Sequence, residues 1–259
     1  MWKIYDEIIA GIPAECTVDD LINGCYTSFV RSGSGAGTAG LIPIDSRPGL
    51  LRRELGMPLR ELAEAVKSWN YVEASIGLAA INAYYNNPEV TTSNGVELSA
   101  SRITEDRKND PFIMSQNRIK NKKVCVVGHF PHLEQLFAPV CDLSIVEMTP
   151  GPEDYPEPAS DYLIPEADFV FITCASIIYK TLPRYLKLAK DAENVVIVGP
   201  STPLAPTLFE FGVDDISSFV IRDADHAKRI VQGLDMDRIY STGQKVSWKR
   251  ENSDEEICP

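Results

Sequence analysis

Short apolar runs separated by helical or irregular segments fill the chain after Lys122, and no other feature of the sequence limits the fold as strongly. They are rich in β-branched residues and read VCVVG (Val124 to Gly128), LSIVEM (Leu143 to Met148), FVFITC (Phe169 to Cys174), VVIVG (Val195 to Gly199) and ISSFVI (Ile216 to Ile221). Continuous apolar runs of this length are typical of parallel strands buried on both faces. They predict a doubly wound, Rossmann-like α/β sheet.

The segments between these runs predict the crossovers of that sheet. Helical patterns occur in HLEQLFAPV, LPRYLKLAKDA, TPLAPTLFEFG and DADHAKRIVQGLD. The second crossover, from Thr149 to Ala167, is rich in proline, which fixes φ and removes a backbone donor. We therefore predict an irregular loop there rather than a regular helix.

The first part of the chain predicts a smaller α+β unit. An amphipathic helix is followed by NGCYTSFVRSG and the glycine-rich SGSGAGTAG, which indicate a small antiparallel sheet with a flexible glycine-rich turn. Two helices follow, PLRELAEAVKSW and then YVEASIGLAAINAYY, which is apolar nearly all round and is expected to be buried between the two units. The polar stretch from Asn86 to Asn121 includes candidates for further strands. We place the domains at residues 1–100 and 101–259, the second ending in a polar tail, RENSDEEICP.

The net charge of the chain limits the classes of partner that it can bind. Lys and Arg number 25 against 37 Asp and Glu, a formal net charge of -12, which repels nucleic acids and anionic membranes. No apolar stretch reaches the roughly 20 residues that span a bilayer, and the N-terminus is acidic where a secretory signal is basic. Six cysteines without a C-x-x-C pair favour reduced thiols, with Cys258 exposed in the tail. We expect a cytoplasmic protein with a small-molecule ligand, and homo-oligomer formation stays open.

The strongest chemical signal is VCVVGHFP, in which a strand runs directly into a glycine and a turn. Glycine lets the backbone approach a ligand, and the helix behind it offers unpaired N–H groups to polar atoms. The motif is not G-x-G-x-x-G, and a proline in the turn removes a donor, so pyrophosphate binding and hence NAD are disfavoured. The ligand-binding candidates in this loop are Gly128, His129, Phe130 and Pro131.

Glu147 lies 19 positions after Gly128, near the end of the second predicted strand. Rossmann-like folds commonly place an acid there that binds a ribose or a comparable diol. This spacing fits a nucleoside-type cofactor such as adenosylmethionine. A solvated glutamate at a strand end is an equally good interpretation.

The turns after the third and fourth strands carry further candidates. The fourth strand ends in VGPSTPLAP, which offers Gly199, Pro200, Ser201, Thr202 and Pro203 for ligand binding. We expect Ser201 or Thr202 to cap the helix that follows, in preference to direct ligand contact. Cys174 is expected to be packed rather than nucleophilic, because no acid–base partner can be placed beside it from the sequence.

Two further groups of polar residues suggest chemistry. His129 and His132 form an H-x-x-H pair near the acids of the second crossover, but Pro131 interrupts the helix that would turn both rings toward one ion, so direct metal coordination is disfavoured. Glu73 and Asn82 lie in the buried helix, where a polar side chain needs a partner. At a domain interface that partner is a ligand in the cleft, and Glu73 is then the general-base candidate. The alternative for Glu73 is to complement the positive end of its helix.

Several segments together resemble the family described as "Putative heavy-metal chelation", and the resemblance covers nearly the whole chain. They are VEASIGLAAINAYYN, VVGHFPHLEQL, the Glu147 strand end, PEADFVFITCASIIYKTLPRYL and NVVIVGPSTPLAPTLFEFGVD. The resemblance implies an enolase N-terminal-like domain followed by a Rossmann-like domain with partial similarity to methyltransferases, and a site between them. The positions carried over by motif are Glu73, Asn82, Gly128, Phe130, Pro131, Glu147, Gly199, Pro200, Ser201 and Pro203.

Three functions follow as hypotheses. The family resemblance implies an enzyme that condenses or hydrolyses a flavin-, pterin- or siderophore-like molecule in the interdomain cleft. The topology allows an adenosylmethionine-dependent methyltransferase. The third hypothesis is a non-enzymatic binder of a metal chelate. Enolase chemistry itself is not implied, because enolase's catalytic acids belong to a barrel that this chain lacks.

Overall fold

The computed structural model of the protein describes residues 2–42, 44, 46–49, 51–52, 54–99 and 109–250. The predicted domain boundary at residues 100 and 101 lies outside the described residues. So does the predicted tail from Glu251, with Cys258. Arg250, the first residue of that tail motif, forms an ion pair with Asp214.

The first unit combines a small antiparallel sheet with helices. Its strands pair in the order β1-β2-β3. The elements are α1 (Lys3–Ala10), β1 (Asp20–Asn23), β2 (Thr27–Ser32), β3 (Gly35–Gly40), α2 (Leu59–Ala63), α3 (Tyr71–Tyr85) and α4 (Pro88–Ser93). α3 has the bounds that its apolar sequence predicts, and Asn70 begins it by accepting a hydrogen bond from the Glu73 N–H.

The glycine-rich run is a strand, which corrects the prediction of a flexible turn. β3 pairs with β2 over its whole length and is buried from Gly35 to Ala39. A Cβ at Gly37 would collide with the backbone of Ala79 and Ala83 in α3. Glycine is therefore needed here for close packing of strand against helix, and the turn itself is confined to Gly33 and Ser34.

The second unit is built on a seven-stranded sheet in the order β10-β9-β8-β7-β4-β5-β6. Neighbouring strands are parallel except β9 and β10. The strands are β4 (Lys123–Val127), β5 (Asp142–Glu147), β6 (Tyr155–Pro156), β7 (Phe169–Thr173), β8 (Asn194–Val198), β9 (Asp215–Ile221) and β10 (Gly243–Lys249). The predicted fold class, a small α+β unit followed by a doubly wound sheet, is confirmed.

Helices cover this sheet, and they are shorter than predicted. They are α5 (Pro111–Ser115), α6 (Leu133–Phe137), α7 (Ser160–Leu163), α8 (Ala175–Tyr179), α9 (Leu182–Leu188), α10 (Thr207–Glu210) and α11 (Ala224–Val231). The second crossover has no long helix, as its prolines predict, but it forms β6, α7 and single 3-10 turns rather than an irregular loop. The described parts of the stretch from 86 to 121 form α4 and α5 and none of the predicted further strands, and its residues 100–108 lie outside the described residues.

The two units share one apolar core. Side chains of α1 and α3 belong to the same buried cluster as those of β7, β8 and β9. The hydroxyl of Tyr5 in α1 also donates to the carbonyl of Ile177 in α8 at 3.1 Å. Within the described part of the chain, every helix is too short or too polar to cross a membrane.

Candidate active site

A cavity of about 150 Å³ opens at the carboxyl ends of β4, β5 and β7. Strand order reverses between β4 and β7, which is where ligands bind in open α/β sheets. Its lining residues are Val127, Gly128, His129, Phe130, Val146, Glu147, Met148, Glu157, Thr173, Ala175, Ser176, Tyr179, Thr181 and Tyr185. All of them belong to the second unit, whereas the sequence predicted a site between the units.

Gly128 forms the turn out of β4. Its φ is +103°, a conformation that favours glycine, and a Cβ would lie 2.9 Å from the Cβ of Thr173. The glycine thus keeps the floor of the cavity open between β4 and β7.

Glu147 ends β5 on one side of Gly128, as its spacing predicts. One carboxylate oxygen accepts from the His129 backbone N–H at 2.8 Å, and the other accepts from the Met148 N–H at 2.6 Å. Each carboxylate oxygen can accept a second hydrogen bond, so the group is fixed in position and still able to bind a donor.

His129 lies at the mouth of the cavity between two carboxylates. Its Nδ1 is 3.0 Å from Asp154 Oδ1, and its Nε2 is 3.2 Å from Glu134 Oε1. The hydrogen bond to Asp154 raises the pKa of His129, and the nearby charges of Asp154, Glu134 and Glu147 act in the same direction. The imidazolium therefore persists to higher pH than in a free histidine.

The inner wall combines an anchored acid with aromatic rings. Glu157 Oε1 accepts from the Tyr185 hydroxyl at 2.8 Å and from Arg184. Rings of Phe130, Tyr179 and Tyr185 line the cavity. Phe130 is itself packed on Phe112, with ring centroids 4.9 Å apart, so this wall is held rigidly. Such a surface suits a flat ring with hydrogen-bond donors.

Two family profiles match the chain, and both are described as "Putative heavy-metal chelation". DUF364 matches residues 110–249, and DUF4213 matches residues 5–85. The chain belongs to the DUF364 family. An uncharacterized protein of Methanocaldococcus jannaschii is 32% identical over 176 residues, which are 65% of this chain and 62% of that relative. The chain thus matches less than two thirds of the length of this curated relative.

Solved structures of the DUF364 family are similar over nearly the whole chain. A Desulfitobacterium hafniense protein of unknown function is 55% identical, with a TM-score of 0.90, and the match covers 96% of this chain and 99% of that one. A Pyrococcus horikoshii protein is 20% identical with a TM-score of 0.78, over 96% and 98% of the two chains, which shows the shared fold.

The turn after β8 in this DUF364 protein does not line the cavity, although it contains five predicted ligand-binding residues. The Asn82 amide donates to the carbonyls of Thr38 and Ser201, both at 2.9 Å, and the Gly40 N–H donates to Ser201 Oγ at 3.2 Å. The Asn86 amide donates to Thr202 O at 3.0 Å. Residues Gly199, Pro200, Ser201, Thr202 and Pro203 are thus located at the junction of the two units.

The predicted capping of the next helix by Ser201 or Thr202 is wrong. α10 begins after Pro206 and has no side-chain cap, while the Thr202 hydroxyl donates to Gly199 O at 2.8 Å. Gly199 itself has a φ of +137°, and a Cβ there would collide with Cys174 Sγ. Cys174 is buried, as predicted, and burial raises the pKa of its thiol.

Glu73 holds the segment that precedes α2 rather than lining the cavity. Its carboxylate accepts from the Leu51 N–H at 2.5 Å and from Ser68 Oγ at 2.6 Å. Asn82 does not line the cavity either: its amide contacts Thr38 within the first unit and Ser201 in the second, and its Oδ1 is buried without a partner among the described residues. The catalytic roles of Glu73 and Asn82 stay predictions.

The two histidines of H-x-x-H separate. His129 contacts the cavity, whereas His132 has a left-handed φ of +64° just before α6 and is exposed, as is Pro131. The third histidine, which sequence reasoning did not single out, forms a group of potential metal ligands with Asp235 and Asp237. Its Nε2 is 3.5 Å from Asp235 Oδ2 and 3.3 Å from Asp237 Oδ2. The sequence does contain a pattern that could have predicted this group: His226 lies in the helical sequence DADHAKRIV, and the two aspartates follow it in GLDMD.

Proposed function

We propose that this protein is an enzyme that condenses or hydrolyses a small nitrogen-containing heterocycle, of the pterin class, bound at Gly128. The observation that carries the proposal is the carboxylate of Glu147, held by two backbone N–H groups in the wall of an aromatic-lined cavity. A carboxylate in this position pairs with adjacent N–H donors on the edge of a ring.

The size of the cavity favours a single ring system over a larger cofactor. Pockets that enclose a drug-sized ligand have volumes of roughly 300–1,000 Å³. At about 150 Å³ this cavity holds one flat ring system of the size of a pterin, while any longer substituent extends past its mouth. Flavins and whole nucleoside cofactors are less well accommodated.

His129 is the acid that we assign to the reaction. Its imidazolium is stabilised by Asp154 on one side and Glu134 on the other, at the point where a substituent leaves the cavity. In hydrolysis it would give its proton to the leaving group as water attacks and the bond to that group breaks. In condensation, the reverse reaction, it would protonate the departing hydroxyl, which leaves as water.

Calorimetry with pterin tests the binding step. The wild type is expected to bind pterin, and Glu147→Gln is expected to lower the affinity about ten- to a hundredfold, because an ionised acceptor is replaced by a neutral amide. Glu210→Gln, at an exposed carboxylate of α10, is the matched control. Wild-type protein that binds no pterin would contradict the proposal, and binding of adenosylmethionine with the same Glu147 dependence would favour methyl transfer instead.

A second candidate function is direct metal binding by His226, Asp235 and Asp237. Tetrahedral ligands at about 2.1 Å from an ion lie roughly 3.4 Å apart, close to the separations of His226 Nε2 from the two carboxylates. The family description, chelation of heavy metals, agrees with this chemistry. The same distances also fit hydrogen bonds between the imidazole and the two carboxylates without a metal.

Equilibrium dialysis against Zn²⁺ separates these two interpretations. A metal site is expected to bind one ion per chain in the wild type and to lose it in His226→Ala. His132→Ala, at an exposed histidine outside the group, is the control. Equal zinc binding by the wild type and His226→Ala would show that the group is a set of hydrogen-bonded side chains rather than a metal site.

A further inference from the structure

Ser176 stands out among the buried serines of the helices because its hydroxyl has no hydrogen-bond partner within the described part of the chain. Its side chain is about 1% exposed and lines the cavity at Gly128. Buried polar groups are almost always satisfied in folded proteins, so an orphaned hydroxyl at a cavity wall points to a partner that arrives from the cavity.

The local structure explains why no protein group satisfies this hydroxyl. Ser75 in α3 and Ser115 in α5 donate to the carbonyls of Tyr71 and Pro111, four residues earlier in the chain. Ser176 is the second residue of α8, so the residue four positions earlier is Ile172, which lies in β7. Ser176 therefore has no carbonyl of its own helix four residues earlier to which its hydroxyl could donate.

Ser176 and Glu147 lie on opposite sides of Gly128. The strand order β7-β4-β5 places the ends of β7 and β5 two strand spacings apart, about 10 Å. Both residues line the same cavity, together with Phe130, Tyr179 and Tyr185. A flat molecule of two fused rings bridges that distance.

We infer that Ser176 forms the inner end of the ligand subsite and that the ligand is a flat fused-ring heterocycle with a polar atom at each end. One end presents N–H donors to Glu147, and the other presents an oxygen or nitrogen to the Ser176 hydroxyl, which can donate or accept. This inference rests on the function proposed above and names the second recognition point of the same site.

The test compares Ser176→Ala with Ser115→Ala, two buried helical serines that differ in whether the hydroxyl is satisfied. Ser176→Ala is expected to weaken pterin binding roughly three- to tenfold and to leave the urea midpoint of unfolding unchanged or raised, because it removes an unsatisfied polar group. Ser115→Ala is expected to do the reverse, lowering the midpoint while pterin affinity stays at the wild-type value. A structural serine at position 176 would instead lower the midpoint.

The outcomes distinguish this inference from the proposed function. If Glu147→Gln loses pterin while Ser176→Ala binds it as the wild type does, the subsite inference is wrong and the proposed function stands. A Ser176→Ala protein that is destabilised as much as Ser115→Ala would also overturn the inference. If the wild type binds no pterin, both fall together.

Discussion

Two turns at the same edge of the large sheet are similar in local sequence, but one lines a cavity and the other is covered by a helix. Gly128 follows β4 and Gly199 follows β8, and both have positive φ values, +103° and +137°. Both are followed by polar or proline residues, and the sequence predicts ligand contact at both. The structure leaves the first turn open as a cavity wall and covers the second with α3.

The difference comes from what packs over each turn. Asn82 in the last turn of α3 and Asn86 directly after the helix donate their amides to the carbonyls of Ser201 and Thr202. No element of the first unit contributes a lining residue to the cavity at Gly128, within the described part of the chain. A glycine at a strand end is therefore a potential site, and the neighbouring helix decides whether it becomes an interface.

The largest expected loss of stability comes from a substitution at the turn that follows β8. Asn86→Ala removes an amide that donates to Thr202 O, Ser218 Oγ and Phe219 O, and an oxygen that accepts from the Leu204 N–H. Thr202 O keeps its hydrogen bond from Ser218 Oγ, but the Leu204 N–H stays buried without an acceptor and the carbonyls lose a donor. We therefore expect the free energy of unfolding to fall by about 3–5 kcal/mol in urea titration. Asn94→Ala, at the end of α4, is the control. A loss under about 1 kcal/mol would contradict the role of this amide in joining the units.

A second prediction concerns Lys180, which directly follows α8 and contacts the first unit. The Lys180 ammonium donates to Ser68 O and Ile178 O and lies 5.6 Å from the Trp69 ring centroid. Burial lowers the pKa of Lys180 from 10.5 to about 8. The unfolded chain then binds more protons than the folded one between pH 8 and 10.5, so stability rises with pH in that range.

The Lys180→Met variant measures how much of the pH dependence of stability comes from this lysine. As pH rises from 8 to 10.5, the free energy of unfolding of the wild type should gain up to about 3 kcal/mol relative to the variant. Lys187→Met, at an exposed lysine of α9, controls for the loss of a positive charge. Parallel pH profiles for the wild type and Lys180→Met would show that the ammonium is not destabilised by burial.

A third prediction sharpens the comparison within α3. Asn82→Ala should cost less than Asn86→Ala, about 1–2 kcal/mol, because the Oδ1 of Asn82 is already unsatisfied and is removed with the side chain. Urea unfolding of both variants gives the ranking. Pterin affinity is expected to be unchanged, and a large loss of affinity would return Asn82 to the catalytic role predicted from its sequence.

The smallest expected change in stability comes from His129, in the turn that follows β4. The pKa of His129 is raised by its bond to Asp154, so the pair stabilises the fold fully below the unfolded pKa of about 6.5 and this contribution is lost as pH rises through the raised value. We expect His129→Gln to be less stable than the wild type by under about 1 kcal/mol at pH 5.5, with the difference shrinking at higher pH. His132→Gln is the control, and a difference that grows with pH would have the wrong sign.

The sequence predicted the elements that depend on local pattern. α3 has its predicted bounds, and the five predicted strands lie within a residue or two of β4, β5, β7, β8 and β9. It missed β10, whose sequence GQKVSWK mixes charge with apolar residues because it is an antiparallel edge strand. It also interpreted β3 as a flexible turn, since only contact with Ala79 and Ala83 shows why a strand needs glycine there.

For the site, the sequence by itself determined the glycine turn and the acid beside it. Gly128 follows β4 and Glu147 ends β5, and the ends of these neighbouring parallel strands lie side by side, so the structure brings the two residues together. Tertiary structure alone decided that Ser176 and Glu157 share their cavity and that α3 covers the turn at Gly199. The reason is physical: strand periodicity is a local property of the chain, whereas the occupant of a buried hydrogen bond depends on which distant segment packs against it.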